Sequence, residues 1–258
     1  MHALTRNARQ TIGRLALLLL LPGCPALRAD ALADLHSVLK RLQSADPVTA
    51  TLEYQFRRET TEDGSPSLLA GSVTTRTEDG PLGLRVAWDR ATLLEAEAES
   101  RASAMDPATP NPIGQIMRLL TAIDIAEHLH AGETLDRILL RARLQETRPE
   151  PWEGKPATLL VLNTVPVISP PNLRSIVKDV QGQARIWVGA DGTPLAWIHE
   201  VNYKGSKYLV RFQGTLKEEI HFQRSGNRLL CAWAQNDDRQ SGLGQTLTTH
   251  RVYRIALN

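Results

Sequence analysis

The sequence predicts a mainly β, α+β fold: a strongly curved antiparallel sheet, an incomplete β-barrel, covered on its concave face by an N-terminal helix and a helical insertion. Three observations predict it. Apolar and polar residues alternate with a period of two in segment after segment between residues 50 and 256. Turn-forming pairs such as Asp63-Gly64, Asp79-Gly80 and Asp191-Gly192 separate those segments. Two stretches instead carry apolar residues at helical spacing, one before the first strand and one after the third.

The first thirty residues read as a targeting segment. Arg6, Arg9 and Arg14 precede the apolar run Leu15 to Leu21, which Pro22-Gly23 breaks before small residues at Ala26 and Ala29. A basic start, a short apolar run and a small-residue exit make a secretory signal peptide over 1–29. The run is too short for a bilayer, which needs about 20 apolar residues. Two cleavage readings stay open. A cut after Ala29 leaves a soluble periplasmic protein, whereas Leu21-Pro22-Gly23-Cys24 resembles a lipoprotein box that would anchor the chain to a membrane through Cys24. Either way Cys231 has no intramolecular partner, so the mature chain is expected to hold no structural disulfide.

Residues 30–258 are expected to form a single domain. Leu32, Leu35, Val38, Leu39 and Leu42 lie on one face of a helix over 30–44, which Asp46-Pro47 ends. Ala50, Leu52, Tyr54 and Phe56 alternate with polar residues in the first strand. A Thr-rich second strand covers 69–77, and Leu82, Leu84, Val86 and Trp88 mark a third. Asp89 is a good N-cap for a helix over 90–105, rich in Ala, Glu and Leu. The linker from Asp106 to Pro112 holds three prolines. Beyond it Ile113, Ile116, Met117 and Leu120, with Ile123 as a further candidate, form the stripe of a second helix, and a short third segment closes the insertion at Gly132.

Strands resume near Ile138, with a second at 157–165 and a proline-rich loop at 166–171. The last third reads as hairpins with strands at 183–189, 194–203, 207–215, 218–224, 228–235 and 245–256. Turns are expected at Asp191-Gly192, Lys204-Gly205-Ser206 and Ser225-Gly226-Asn227, and an exposed loop at 236–244. A sheet of about ten strands tends to curl.

Charge argues against a nucleic-acid binder. The whole chain carries 30 Lys and Arg against 28 Asp and Glu, but four of those arginines lie in the targeting segment. The mature part therefore loses its basic excess, where a nucleic-acid surface would keep it.

The order of elements resembles the periplasmic outer-membrane lipoprotein carriers, the LolA/LolB-like fold. The resemblance rests on the signal segment, the amphipathic helix, the aromatic strand with Tyr54-Gln55-Phe56, the helical middle, and the hairpin from Ala184 to Pro194. The sequence departs from the carriers where they place an Asp-Gly-Lys turn and an aromatic strand, a position taken here by the Ala/Glu-rich helix and the proline linker. The resemblance implies the fold and a hydrophobic cargo, and transfers no functional residue.

The motifs of common enzymes are weakly represented. Ser37-Val38-Leu39-Lys40 and Ser175-Ile176-Val177-Lys178 fit a Ser-x-x-Lys pattern without its companion motifs. No Gly-x-Ser-x-Gly elbow, phosphate-cradling loop or His-Glu-x-x-His pair occurs. His128 and His130, two apart, are expected to face solvent near a helix end. His199, His221 and His250 fall on three separate strands and read as surface residues. Cys231, between Leu230 and Trp233, reads as buried.

The leading expectation is a monomeric, non-enzymatic periplasmic carrier or chaperone with no cofactor and no metal. It would hold a lipid, acyl chain or lipidated protein in an apolar cavity lined by Leu84, Val86, Ile113, Ile116, Met117, Leu120 and Leu160, as a component of envelope transport. The alternative is a periplasmic protein-interaction or sensor module of the same fold with no lipid. An enclosed apolar pocket would favour the first, and a contiguous exposed apolar patch on the outer surface the second.

Overall fold

A computed structural model describes residues 26–166, 175–207, 210–242 and 244–258. The apolar run expected to target the chain, through Cys24, lies outside them, as does most of the proline-rich loop expected at 166–171.

Ten strands form one antiparallel sheet, and five helices cover one of its faces. The order along the chain is α1 Ala26–Arg41, β1 Val48–Glu62, β2 Ser65–Asp79 and β3 Arg85–Trp88. Four helices follow, α2 Arg90–Met105, α3 Pro112–Leu119, α4 Ala122–Leu129 and α5 Ala131–Leu139. The remaining strands are β4 Ala142–Pro149, β5 Ala157–Thr164, β6 Val177–Gly189, β7 Pro194–Lys207, β8 Val210–Ser225, β9 Arg228–Gly242 and β10 Gln245–Leu257. Across the sheet the order is β3-β2-β1-β10-β9-β8-β7-β6-β5-β4, so β3 and β4 are free edges and the barrel stays open. Only the β1–β10 contact joins strands distant in sequence, with Tyr54 opposite Tyr253 and Leu52 opposite Ile255.

Local chemistry sets the helix starts. Asp89 accepts from the Thr92 N–H at 2.8 Å, Asn111 accepts from the Gly114 N–H, and Thr121 and Asp124 form a reciprocal capping box. Pro112 sits in the first turn of α3, where its missing N–H removes no helical bond.

Several boundaries differ from the sequence reading. Gly132 does not end the insertion but lies in the first turn of α5, because its bare Cα lets the helix come down on the Leu42 carbonyl; a Cβ there would stand 2.8 Å from that oxygen. Lys204-Gly205-Ser206 is not a turn. Gly205 lies within β7, where the Phe212 ring fills the space over its Cα. The two strands expected at 207–215 and 218–224 are not separate: from Val210 to Ser225 the chain is one strand, β8. The segment 236–244 is mostly strand, since β9 runs to Gly242 and the chain reverses there through positive-φ Gly242 and Gly244.

The interior divides into two apolar clusters beneath the helices and a small one on the outer face. The first joins Leu52, Tyr54 and Phe56 of β1, Ile113 and Ile116 of α3, Ile125 and Leu129 of α4, and Tyr253 of β10. The second joins Leu35 and Leu39 of α1, Leu135 and Leu139 of α5, and Leu160, Ile186 and Trp197 of the sheet. The third puts Trp187 and Ile198 against Trp152 on the opposite face.

Candidate functional site

The seven residues expected to line a cavity sit in the packed interior. Ile113, Ile116 and Leu120 are buried in the first cluster, and Leu84, Val86 and Met117 pack against it. Leu160 belongs to the second cluster, so it does not share a wall with the other six. Ile116 fills the notch over Gly71 so closely that a Cβ on that glycine would stand 2.8 Å from its Cδ1. Two hollows of about 480 and 470 Å³, beside β6 and beside β2, are lined by none of the seven.

The histidines divide between the interior and the surface of the sheet. His128 is buried with its ring edge-on to Tyr253 at 4.3 Å, and burial pushes its pKa down to about 4. It therefore does not face solvent, because α4 lies flat on β9 and β10 and turns that position inward. His130 is drawn to the Asp79 carboxylate at 3.0 Å, beside Arg228. His199 contacts the Thr164 hydroxyl at 2.8 Å, His221 the Glu219 carboxylate at 3.1 Å and His250 the Asp237 carboxylate at 2.6 Å. Among the described residues no group of three His, Cys, Asp or Glu is placed to hold a metal ion. Cys231 is fully buried, and burial raises its thiol pKa. Ser37 donates to the Ala33 carbonyl at 3.0 Å, an ordinary helical contact.

Apolar side chains are left outside at the end of the molecule carrying the insertion. α2 runs for 16 residues with Thr92 as its only buried side chain. Leu93 and Leu94 are 48% and 53% exposed, Met105 at its end 89%, and Leu82 in the β2–β3 turn 86%. Ala96 is the one apolar residue of α2 that packs against the first cluster.

The outer edge of β2 is open beside this helix. β2 pairs with β1 along its whole length, from Ser65 opposite Glu62 to Asp79 opposite Val48. On its other side β3 pairs only with Thr75 to Glu78. The 470 Å³ hollow runs along the uncovered part, with Ser67, Leu68, Leu69 and Ala70 on one wall and Pro110, Pro112 and Gln115 opposite. Four consecutive strand residues can line one hollow only along the strand's edge, because successive side chains point to opposite faces.

Arg58 reaches this hollow from β1, directly across from Leu69. Its guanidinium stands 5.0 Å from the Phe56 ring centre, and its Nε is buried with no hydrogen-bond partner. Thr249 lies opposite Arg58, and Asp238 opposite Thr249, on the same face of the sheet. Asp238 Oδ1 and Asn236 Oδ1 are also buried without partners. Unpaired buried polar atoms are few in native proteins, and three of them fall in this polar part of the helix-covered face.

No protein-family model matches the sequence, and no curated protein matches it. Among solved structures, the chain is similar to one in the Pseudomonas aeruginosa MucA/MucB complex, at 9% identity and a TM-score of 0.22, covering 86% of this chain and 94% of that one. A second similar chain, in a structure of MucB with MucA(peri), gives 11% identity and a TM-score of 0.21, covering 89% and 94%. Overlaps this loose carry neither a fold nor a partner across to this chain.

Proposed function

We propose that this chain is an exported, non-enzymatic protein-interaction module that works in the periplasm. The single observation that carries the reading is α2, which leaves Leu93, Leu94 and Met105 in solvent on a helix with one buried side chain. Single apolar residues such as Ile123 and Leu140 are exposed elsewhere too, but adjacent leucines on a helix with so little burial fit a surface that a partner covers. The basic, apolar and small-residue pattern of residues 1–29 supports export.

The carrier reading has less support. A carrier holds its cargo in an apolar hollow, whereas the residues expected to line one are packed into the interior clusters. Photo-crosslinking in the native host tests the module directly. A photoreactive residue at Leu94 is expected to give a discrete adduct with a second protein, and one at Gln181 on the far side of the sheet none. Absence of an adduct at Leu94, together with saturable uptake of a fluorescent fatty acid, would reverse the choice.

A further inference from the structure

We propose that the free edge of β2 accepts an extended segment of a partner protein as an added strand, with an acidic side chain of that segment on Arg58. The proposal rests on the interaction-module reading and assigns its docking site.

The direction of the main chain comes first. Thr74 turns its carbonyl to the outer side of β2, where it accepts from the Asp89 N–H at 3.5 Å. Main-chain groups of alternate strand residues point the same way. Ser72, Ala70 and Leu68 therefore also turn their N–H and C=O outward, past the end of β3. Each offers one donor and one acceptor, enough for a partner strand of about five residues, the usual strand length. Pro66, with no N–H, ends the row.

Between Pro66 and β3 the edge also lacks the usual defences. Exposed edge strands are commonly blunted by charge, by proline, by bulges or by a covering element. Ser65 to Ser72 carry no charged side chain, and the β1–β2 register is regular throughout. The opposite wall of the hollow holds Pro110 and Pro112, which have no N–H to offer the outward carbonyls of β2. A hollow of about 470 Å³ beside an open row of main-chain groups has the shape of an empty strand position.

Charge chooses the occupant. Arg58 forms no ion pair among the described residues, and its Nε is buried without a partner. A segment paired with β2 lies one strand beyond Leu69, within reach of a long side chain from Arg58. A carboxylate there would complete a charge-assisted hydrogen bond.

Selection of a displayed library of random 12-residue peptides on the intact protein tests the proposal. Binders are expected to carry Asp or Glu, and fluorescence anisotropy reads their affinity. Ala70→Pro removes an outward N–H that no sheet bond uses, so circular dichroism should be unchanged while affinity falls at least 30-fold. Arg58→Gln should weaken binding at least 10-fold. Hydrogen exchange on the unaltered protein gives a readout independent of any variant: peptide should slow the amides of Leu68, Ala70 and Ser72 above all others. The proposal is overturned if no peptide is selected, if protection appears elsewhere, or if the chain instead dimerises through this edge. A native partner adduct at Leu94 that survives Ala70→Pro would overturn the edge while leaving the module standing. Loss of every adduct in the unaltered protein would remove the module itself.

Discussion

The guanidinium of Arg228 meets the carboxylate of Asp79 inside the protein, joining the start of β9 to the end of β2 across 149 positions of sequence. Arg228 is 2% exposed and Asp79 7%. The same guanidinium donates to the Leu129 carbonyl through Nε and to the Asp46 carbonyl through an NH2 group, each at 2.9 Å. One side chain thus ties the loop before β1, the end of α4 and the end of β2. Arg228→Met leaves the buried Asp79 carboxylate with His130 as its remaining partner, and should destabilise the fold by roughly 3–5 kcal/mol in urea titration. Adding Asp79→Asn should recover part of that loss. A single-variant loss below about 1 kcal/mol would show that water reaches the pair.

His128 makes stability depend on pH. Its folded pKa of about 4 lies below the ordinary 6.5 because burial disfavours the imidazolium, with Asp124 opposing weakly. The unfolded chain then binds the proton more readily. The stabilisation is complete above about pH 6.5 and is lost as pH falls toward 4, amounting to roughly 3 kcal/mol. Replacing His128 with Phe should flatten the urea midpoint between pH 7 and 4. Equal pH slopes in both proteins would show that other groups govern acid unfolding.

Leu120 separates a filled interior from a ligand cavity. It is 5% exposed within the first cluster. Leu120→Asp places an unpaired charge there and should unfold the domain, seen as loss of the cooperative thermal transition in circular dichroism. A folded variant that had lost uptake of a fluorescent fatty acid would instead identify a cavity wall.

Gly132 sets helix propensity against packing. Alanine is favoured over glycine inside a helix by about 1 kcal/mol. The close approach to the Leu42 carbonyl argues the other way, because backbone must move to admit the Cβ. Gly132→Ala should therefore lower stability, by about 1–3 kcal/mol. A gain would mean that α1 and α5 shift apart easily.

The strands were legible where one face is apolar and the other wet, as in Ala50 to Phe56, and Asp89 announced α2 through its side-chain chemistry. Legibility failed where that contrast vanishes. From Asn236 to Gly242 both faces of β9 are polar, so the segment reads as a loop although its neighbours pair with it throughout. Gly132 and Gly205 resemble breaks because spacing cannot tell a glycine that turns the chain from one that admits a neighbour. The stripe of α3 was visible as a stripe, but packing against Gly71 and Phe56 is decided by residues far away in sequence. Nor could the β2 edge be read, since it exists only because β3 is four residues long. Arg58 looks like any polar member of an alternating strand.

Native mass spectrometry of the protein purified from its own host decides between a polypeptide partner and a lipid cargo, since it weighs chain, lipid and partner together. The expected spectrum is the bare mature chain, with a fraction carrying one second polypeptide that Leu94→Glu removes. A chain bearing a stoichiometric lipid mass and no polypeptide would contradict it.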